Sequence, residues 1–184
     1  MLVISNTASD RRTALALLLA GLLAGCASAP APRTTTARRA PATPVAPSLP
    51  LLDLDPAERE GAVAQAMLLV NTPYTYGGNT PQGGFDCSGL IQYVFRQVGG
   101  ASVRLPRTTA QWAAASVPVA ESRLQRGDLV FFNTTGRPFS HMGLFVGGDQ
   151  FVHAPSSGGT VRRASLGNPY FAPRYLGARR VFAA

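Results

Sequence analysis

"SHMGLFVGGDQFVHAP", residues 140–155, sets two apolar runs on either side of a glycine pair and an aspartate, with a histidine near the outer end of each run. Runs of this length, rich in β-branched and aromatic residues and divided by turn formers, predict a β-hairpin. Both histidines of the chain, His141 and His153, lie in it. Register decides what they can do together. A three-residue loop, Gly147-Gly148-Asp149, places Val146 opposite Gln150, so that His153 faces Gly143 and stands diagonal to His141 on one face. A two-residue turn at Gly148-Asp149 throws the histidines onto opposite faces. Paired histidines therefore require an odd loop or a bulge in this hairpin.

Working outward, "DLVFFN" (128–133), "TVRRAS" (160–165) and "ARRVFA" (178–183) read as further strands, separated by Gly-, Ser-, Asn- and Pro-containing turns. Upstream of Asp128 the pattern is helical. Asp55-Pro56-Ala57-Glu58 supplies an N-cap, a proline at the first helical position and an acid near the positive helix end, opening a helix over residues 57–70. "YTYGGNTPQGG" (74–84) reads as glycine-rich loop, and a second helix starts at Cys87 with Asp86 as its cap and ends at Gly99-Gly100. A third covers "TTAQWAAAS" (108–116). Helices first and a strand meander after predict an α+β domain with helices packed on an antiparallel sheet.

At 184 residues and 46% hydrophobic content the chain holds one domain plus an appendage, and wholesale disorder is excluded. The net charge is +8, and all 17 basic residues are arginine. Such a surface suits nucleic acid, anionic lipid or a carboxylate-rich polymer, and charge alone does not choose among them. The N-terminus narrows the compartment. Arg11-Arg12 precede "TALALLLAGLLAGC" (13–26), a charged region and an apolar run too short to span a bilayer. Leu23-Ala24-Gly25-Cys26 matches the bacterial lipobox, in which the cysteine thiol accepts a diacylglyceryl group. Ala27 rather than an aspartate follows the acceptor, and by resemblance to Gram-negative lipoproteins this implies the outer membrane, facing the periplasm. Residues 27–50, rich in Ala, Pro and Thr, cannot bury apolar surface and read as an extended tether. The expected organisation is a signal peptide at 1–25, a lipidated Cys26 with its tether at 26–50, and a folded domain at 51–184. A thiol in an oxidising compartment normally pairs. With Cys26 consumed by lipid, Cys87 is left alone, which marks it for use.

Cys87 sits in "GGFDCSGL" (83–90), among polar and turn-forming neighbours rather than the apolar ones of a buried structural thiol. A helix N-terminus favours thiolate over thiol, and its N–H groups can hydrogen-bond an oxyanion formed beside the sulfur. His141 is then the candidate base and His153 the group that fixes its tautomer. Gly143, without a side chain, is expected to let the Cys87 helix end approach the sheet. A Cys-His-His set can also ligate zinc. The chain has no Cys-x-x-Cys or His-Glu-x-x-His spacing, so no metal and no cofactor are expected.

"YTYGG", "FDCSGLIQYVF", "LPRTTAQ", "LQRGDLVFF", "SHMGLFVGGDQFVHAP" and "YLGARRV" together resemble the NlpC family of cell-wall cysteine peptidases, most of all its lipid-anchored, Spr-like murein endopeptidases. The likeness covers about residues 57–182. It implies a papain-like α+β fold and hydrolysis of an amide in peptidoglycan stem peptides. The D-alanyl–diaminopimelate crosslink is favoured over the γ-D-glutamyl–diaminopimelate bond. Carried over by position, Cys87 matches the nucleophile, His141 the base, His153 the third polar residue, and Tyr74 the loop tyrosine that lines the substrate site and helps the oxyanion. Asp86 and Ser88 match the polar pair flanking the nucleophile. The loop from Tyr74 to Cys87 is one residue longer than in Spr-like proteins, at "QGG". Asp128 is expected to hold a turn, and Arg107 to be an exposed helix-start residue. The expected partners are peptidoglycan and, through the acyl anchor, the bilayer. The chain is expected to be a monomer without a nucleic-acid partner. A non-hydrolytic scaffold lipoprotein or an acyltransferase of the same fold is the alternative.

Overall fold

Six antiparallel strands form the main sheet. The computed structural model describes residues 50–99, 103–157 and 159–183; the expected signal peptide, Cys26 and the tether up to residue 49 lie outside them. A 3-10 turn at Pro56–Glu58 leads into α1 (Arg59–Leu68), and Asp55 accepts from the Ala57 N–H as the expected cap. A small hairpin, β1 (Asn79–Thr80) and β2 (Gly84–Phe85), precedes α2 (Cys87–Gly99) and α3 (Thr109–Ala114). The sheet strands are β3 (Val117–Val119), β4 (Leu129–Phe132), β5 (His141–Gly147), β6 (Gln150–His153), β7 (Arg162–Ser165) and β8 (Tyr175–Arg180), in the spatial order β3-β8-β4-β5-β6-β7. This is the expected α+β architecture. Three strand features escape the sequence reading: β3 contains Pro118, β1 and Gly84 of β2 fall inside the stretch read as loop, and β8 covers Tyr175–Arg180 rather than residues 178–183.

α2 forms because Leu90, Ile91, Val94 and Phe95 line one face, all fully buried. They meet Leu129, Phe131, Met142, Leu144 and Val152 of the sheet, together with Ala62, Val63 and Ala66 of α1. The opposite sheet face carries Val130, Phe132, Phe145, Phe151 and Ala178, covered by Phe171. β4 is therefore buried on both faces, which explains why "LVFF" shows no polar alternation. Burying one such phenylalanine contributes roughly 1.5–3 kcal/mol.

Asp128 is fully buried, and its carboxylate accepts from the Gln125 N–H at 2.8 Å and from Arg180 Nε and Nη2, each at 2.7 Å. As expected it holds a turn, the one that feeds β4.

Candidate active site

The first turn of α2 is built around Asp86. Its Oδ1 accepts from the Gly89 N–H at 2.6 Å, the helix cap expected of it, and from the Ser88 hydroxyl at 3.1 Å. Its Oδ2 accepts from the Gly77 N–H at 3.1 Å. Arg107 closes the set with a fork, Nη1 to Oδ1 at 3.1 Å and Nη2 to Oδ2 at 2.8 Å, and Nη1 also reaches Ser88 Oγ at 3.0 Å. Burial opposes the charge on Asp86, but Arg107 and the Gly89 and Ser88 donors outweigh it and hold the carboxyl below its ordinary value. Arg107 is thus not the free helix-start residue expected of it; it is ion-paired immediately before the α3 capping box of Thr108 and Gln111. A β-carbon at Gly89 would lie 2.0 Å from the Gly78 carbonyl, so only glycine lets the helix start press against the Gly77-Gly78 turn.

Cys87 opens α2, with the N–H groups of Met142, Ser88 and its own residue beside the sulfur. The helix end alone favours the thiolate expected from the sequence. Burial, with the Asp86 carboxylate adding to it, instead pushes the thiol up to about 11. The helix end therefore lowers the cost of the anion without making it the resting state.

The histidines meet through a bulge. Gly148 and Asp149 form a two-residue turn, both with positive φ (59° and 65°), and Gly147 pairs with Gln150. That turn alone would separate the rings. The register then slips by one residue at Val146, so that Phe145 faces Phe151 and Leu144 faces Val152. His141 Nε2 and His153 Nδ1 consequently lie 2.9 Å apart, with the rings nearly perpendicular at 87°. The Val146 carbonyl, at the residue left without a ladder partner, accepts from Arg126 Nη1, and Arg126 is held by Glu60 of α1 at 2.9 Å. Gly143 serves the hairpin rather than the helix end: a β-carbon there would lie 2.6 Å from Phe151 and 2.8 Å from the Val152 carbonyl. Phe171 stacks on His141 and meets His153 edge-on. Burial drops His141 to about 4. Burial first, then the His141 and Arg162 charges, drop His153 to about 3. Both rings are neutral at pH 7.

Cys87, His141, Tyr74, Asp86, Ser88 and Arg107 all line one cleft of about 870 Å³. His153 is fully buried behind His141. Desolvation, with Cys87 and Asp86 nearby, keeps the Tyr74 phenol protonated. The fold thus assembles every candidate residue of the folded domain; Cys26 lies outside the described residues. Sequence reasoning missed Arg126, Phe171 and Ser140, whose hydroxyl accepts from Thr134 N–H at 2.8 Å and shapes the cleft wall next to His141. Only the turn-forming context of "LQRGDL" hinted at Arg126. With a neutral thiol, a neutral imidazole and an imidazole behind it, the arrangement suits nucleophilic acyl chemistry in which the proton moves as the sulfur attacks.

The pattern of the NlpC/P60 family matches residues 71–180. Murein DD-endopeptidase MepH of Escherichia coli is 38% identical over 123 residues, 65% of this chain and 45% of its own. Murein DD-endopeptidase MepS/Murein LD-carboxypeptidase of the same species is 42% identical over 112 residues, 60% of this chain and 56% of its own. The chain spans about half the length of the curated relatives it matches. A crystal structure of an NLP/P60-family protein from Staphylococcus aureus superimposes with a TM-score of 0.62 at 30% identity, covering 72% of this chain and 44% of that one.

Proposed function

We propose, from the premise that this chain belongs to the NlpC/P60 family, that it is a cysteine endopeptidase acting on peptidoglycan stem peptides. The observation that carries this reading is the buried His141–His153 pair at 2.9 Å, of which His141 lines the same cleft as Cys87 at the start of α2.

His153 occupies His141 Nε2, which leaves Nδ1 for the thiol. His141 Nδ1 takes the Cys87 proton as the sulfur bonds to the amide carbon, and His153 Nδ1 accepts from the imidazolium that forms. The N–H groups at the start of α2 and the Tyr74 hydroxyl face the developing oxyanion. Collapse breaks the C–N bond, His141 returns the proton to the leaving amine, and a thioester remains. Water then attacks with His141 as base, releasing a carboxylic acid and the free thiol. Asp86 and Ser88, clamped by Arg107, form the acyl-side wall.

The bond is the D-alanyl–diaminopimelate crosslink, with the γ-D-glutamyl–diaminopimelate bond as the second choice. The protein works as a monomer without a metal, tethered by acylated Cys26 to the periplasmic face of the outer membrane. Palmitate labelling that survives Cys26→Ser overturns that anchor.

Activity is tested by incubating the protein with purified sacculi and defined muropeptides, with Cys87→Ser alongside, and identifying products by mass spectrometry. Crosslinked dimers should become monomers, and not with Cys87→Ser. Cleavage within monomer stems moves the assignment to the γ-D-glutamyl bond. No product from a folded protein favours the scaffold or acyltransferase alternative.

A further inference from the structure

The cleft does not end at His141. A second cavity, of about 430 Å³, borders His141 and His153 but not Cys87, and shares Thr134, His141 and Ser156 with the cleft. Its walls include Phe171, Tyr170, Arg162 and Arg163, and no acidic residue lines it. Arg162 and Arg163 of β7 are exposed and make no ion pair among the described residues. Arg162 stands directly opposite His153 in the β6–β7 pairing, on the same face of the sheet. Its charge reaches the His153 ring.

His153 contributes a second observation. Its Nε2 is buried with no hydrogen-bond partner among the described residues. In the peptidase reading Nδ1 accepts from His141, which assigns the ring proton to Nε2, the side of the ring away from His141. Arg162 and Arg163, both in its lining, make the cavity electropositive. Chemistry supplies the direction. His141 hands its proton to the leaving amine, so that amine lies against His141 when the bond breaks. The residue that carries the amine continues away from Cys87.

We propose that this cavity receives the amine-side residue of the stem peptide and that Arg162 holds a free carboxylate on it. The inference rests on the peptidase reading above and sharpens its choice of bond. In the D-alanyl–diaminopimelate crosslink, the carbon bearing the leaving amine also bears a free carboxylate. In the γ-D-glutamyl–diaminopimelate bond of an intact stem, that carboxyl is tied up in the next amide. A carboxylate beside His153 also supports the positive charge that His141 acquires during catalysis. Arginines on an edge strand deter strand addition as well, but that role needs neither the cavity nor the alignment of Arg162 with His153.

Two measurements on the full chain test this. In the first, Cys87→Ala protein is titrated with free diaminopimelate or its diamide while the histidine ring resonances are followed by NMR. The acid should shift His153 and bind at least about tenfold more tightly than the diamide, and Arg162→Gln should remove that difference. Arg162→Glu should reverse the preference. Equal response to acid and diamide, or a preference that survives Arg162→Gln in a protein with an unchanged circular dichroism spectrum, overturns the subsite. The second measures wild-type cleavage of crosslinked dimers whose amine-side carboxylate is free or amidated. A free-acid preference of about tenfold, lost in Arg162→Gln, is expected. Equal rates on both dimers overturn the proposal. Carboxylate binding without cleavage of either dimer or of monomer stems sinks the peptidase reading and leaves a carboxylate site standing.

Discussion

Cys87 keeps its proton at neutral pH because burial and the Asp86 carboxylate outweigh three neighbouring N–H groups. Alkylation by iodoacetamide should therefore be slower at pH 7 than for an exposed cysteine, and should rise towards pH 11 without a plateau at neutrality. A plateau below pH 8 would mean that the thiolate exists at rest. His153 acts through His141, and its contribution is orientation. His153→Ala should lower kcat about 10²–10⁴-fold, as loss of the tautomer-fixing partner does elsewhere, with KM nearly unchanged. Restoration of kcat by His153→Asn, which can still accept from His141 Nε2–H, would separate this role from mere packing.

At the scale of elements, the hairpin and the helix start each rest on a local irregularity. The bulge at Val146 turns a two-residue hairpin, which would part the histidines, into one that joins them. Arg126 satisfies the displaced carbonyl, although its ion pair with Glu60 is exposed and worth little in itself. Arg126→Met should cost about 1–3 kcal/mol through the unpaired carbonyl, and kcat should fall more than KM rises. Unchanged kinetics, measured on the folded variant, would show that the bulge holds without it. The bulge was foreseen as one of two requirements, because strand parity allows no third. Which of the two occurs depends on Gly147, Gly148 and Asp149 all taking positive φ, and the string "GGD" fits either loop. Gly143 illustrates the opposite case. Its lack of a side chain is legible, but the neighbour it spares is on the adjacent strand and not on the helix.

For the molecule as a whole, two buried sets of polar groups tie stability to the site. The histidine pair is neutral and buried, with His141 held at about 4 and His153 at about 3 against an ordinary 6.5. The folded state therefore binds fewer protons than the unfolded chain once the pH drops below 6.5. Stability is fully present above that pH and declines as it falls to about 4 for His141 and about 3 for His153, by up to roughly 1.4 kcal/mol per pH unit for each. Urea midpoints measured across this range should drop, and less steeply in His153→Ala; a flat profile would refute the neutral buried pair. The Asp128–Arg180 pair, with Arg59 at 3.8 Å, ties β8 and α1 to the turn before β4. Asp128→Ala should cost about 3–5 kcal/mol, read from denaturant unfolding, because Arg180 is left uncompensated.

The sequence by itself determined the α+β class, the start of α2 at Cys87, and the identity of the paired histidines. Those features depend on periodicity, capping and parity, which act over a few residues and are written locally. Tertiary structure decided the rest. The protonation of Cys87 reflects burial by distant residues, the fork of Arg107 on Asp86 spans 21 positions, and the register of the hairpin is pinned by Arg126 from 20 positions upstream. The cavity of about 430 Å³ beside His141 and His153 arises only where β6, β7 and the Phe171 segment converge. Desolvation and convergence are properties of the packed chain, so no stretch of the sequence carries them alone.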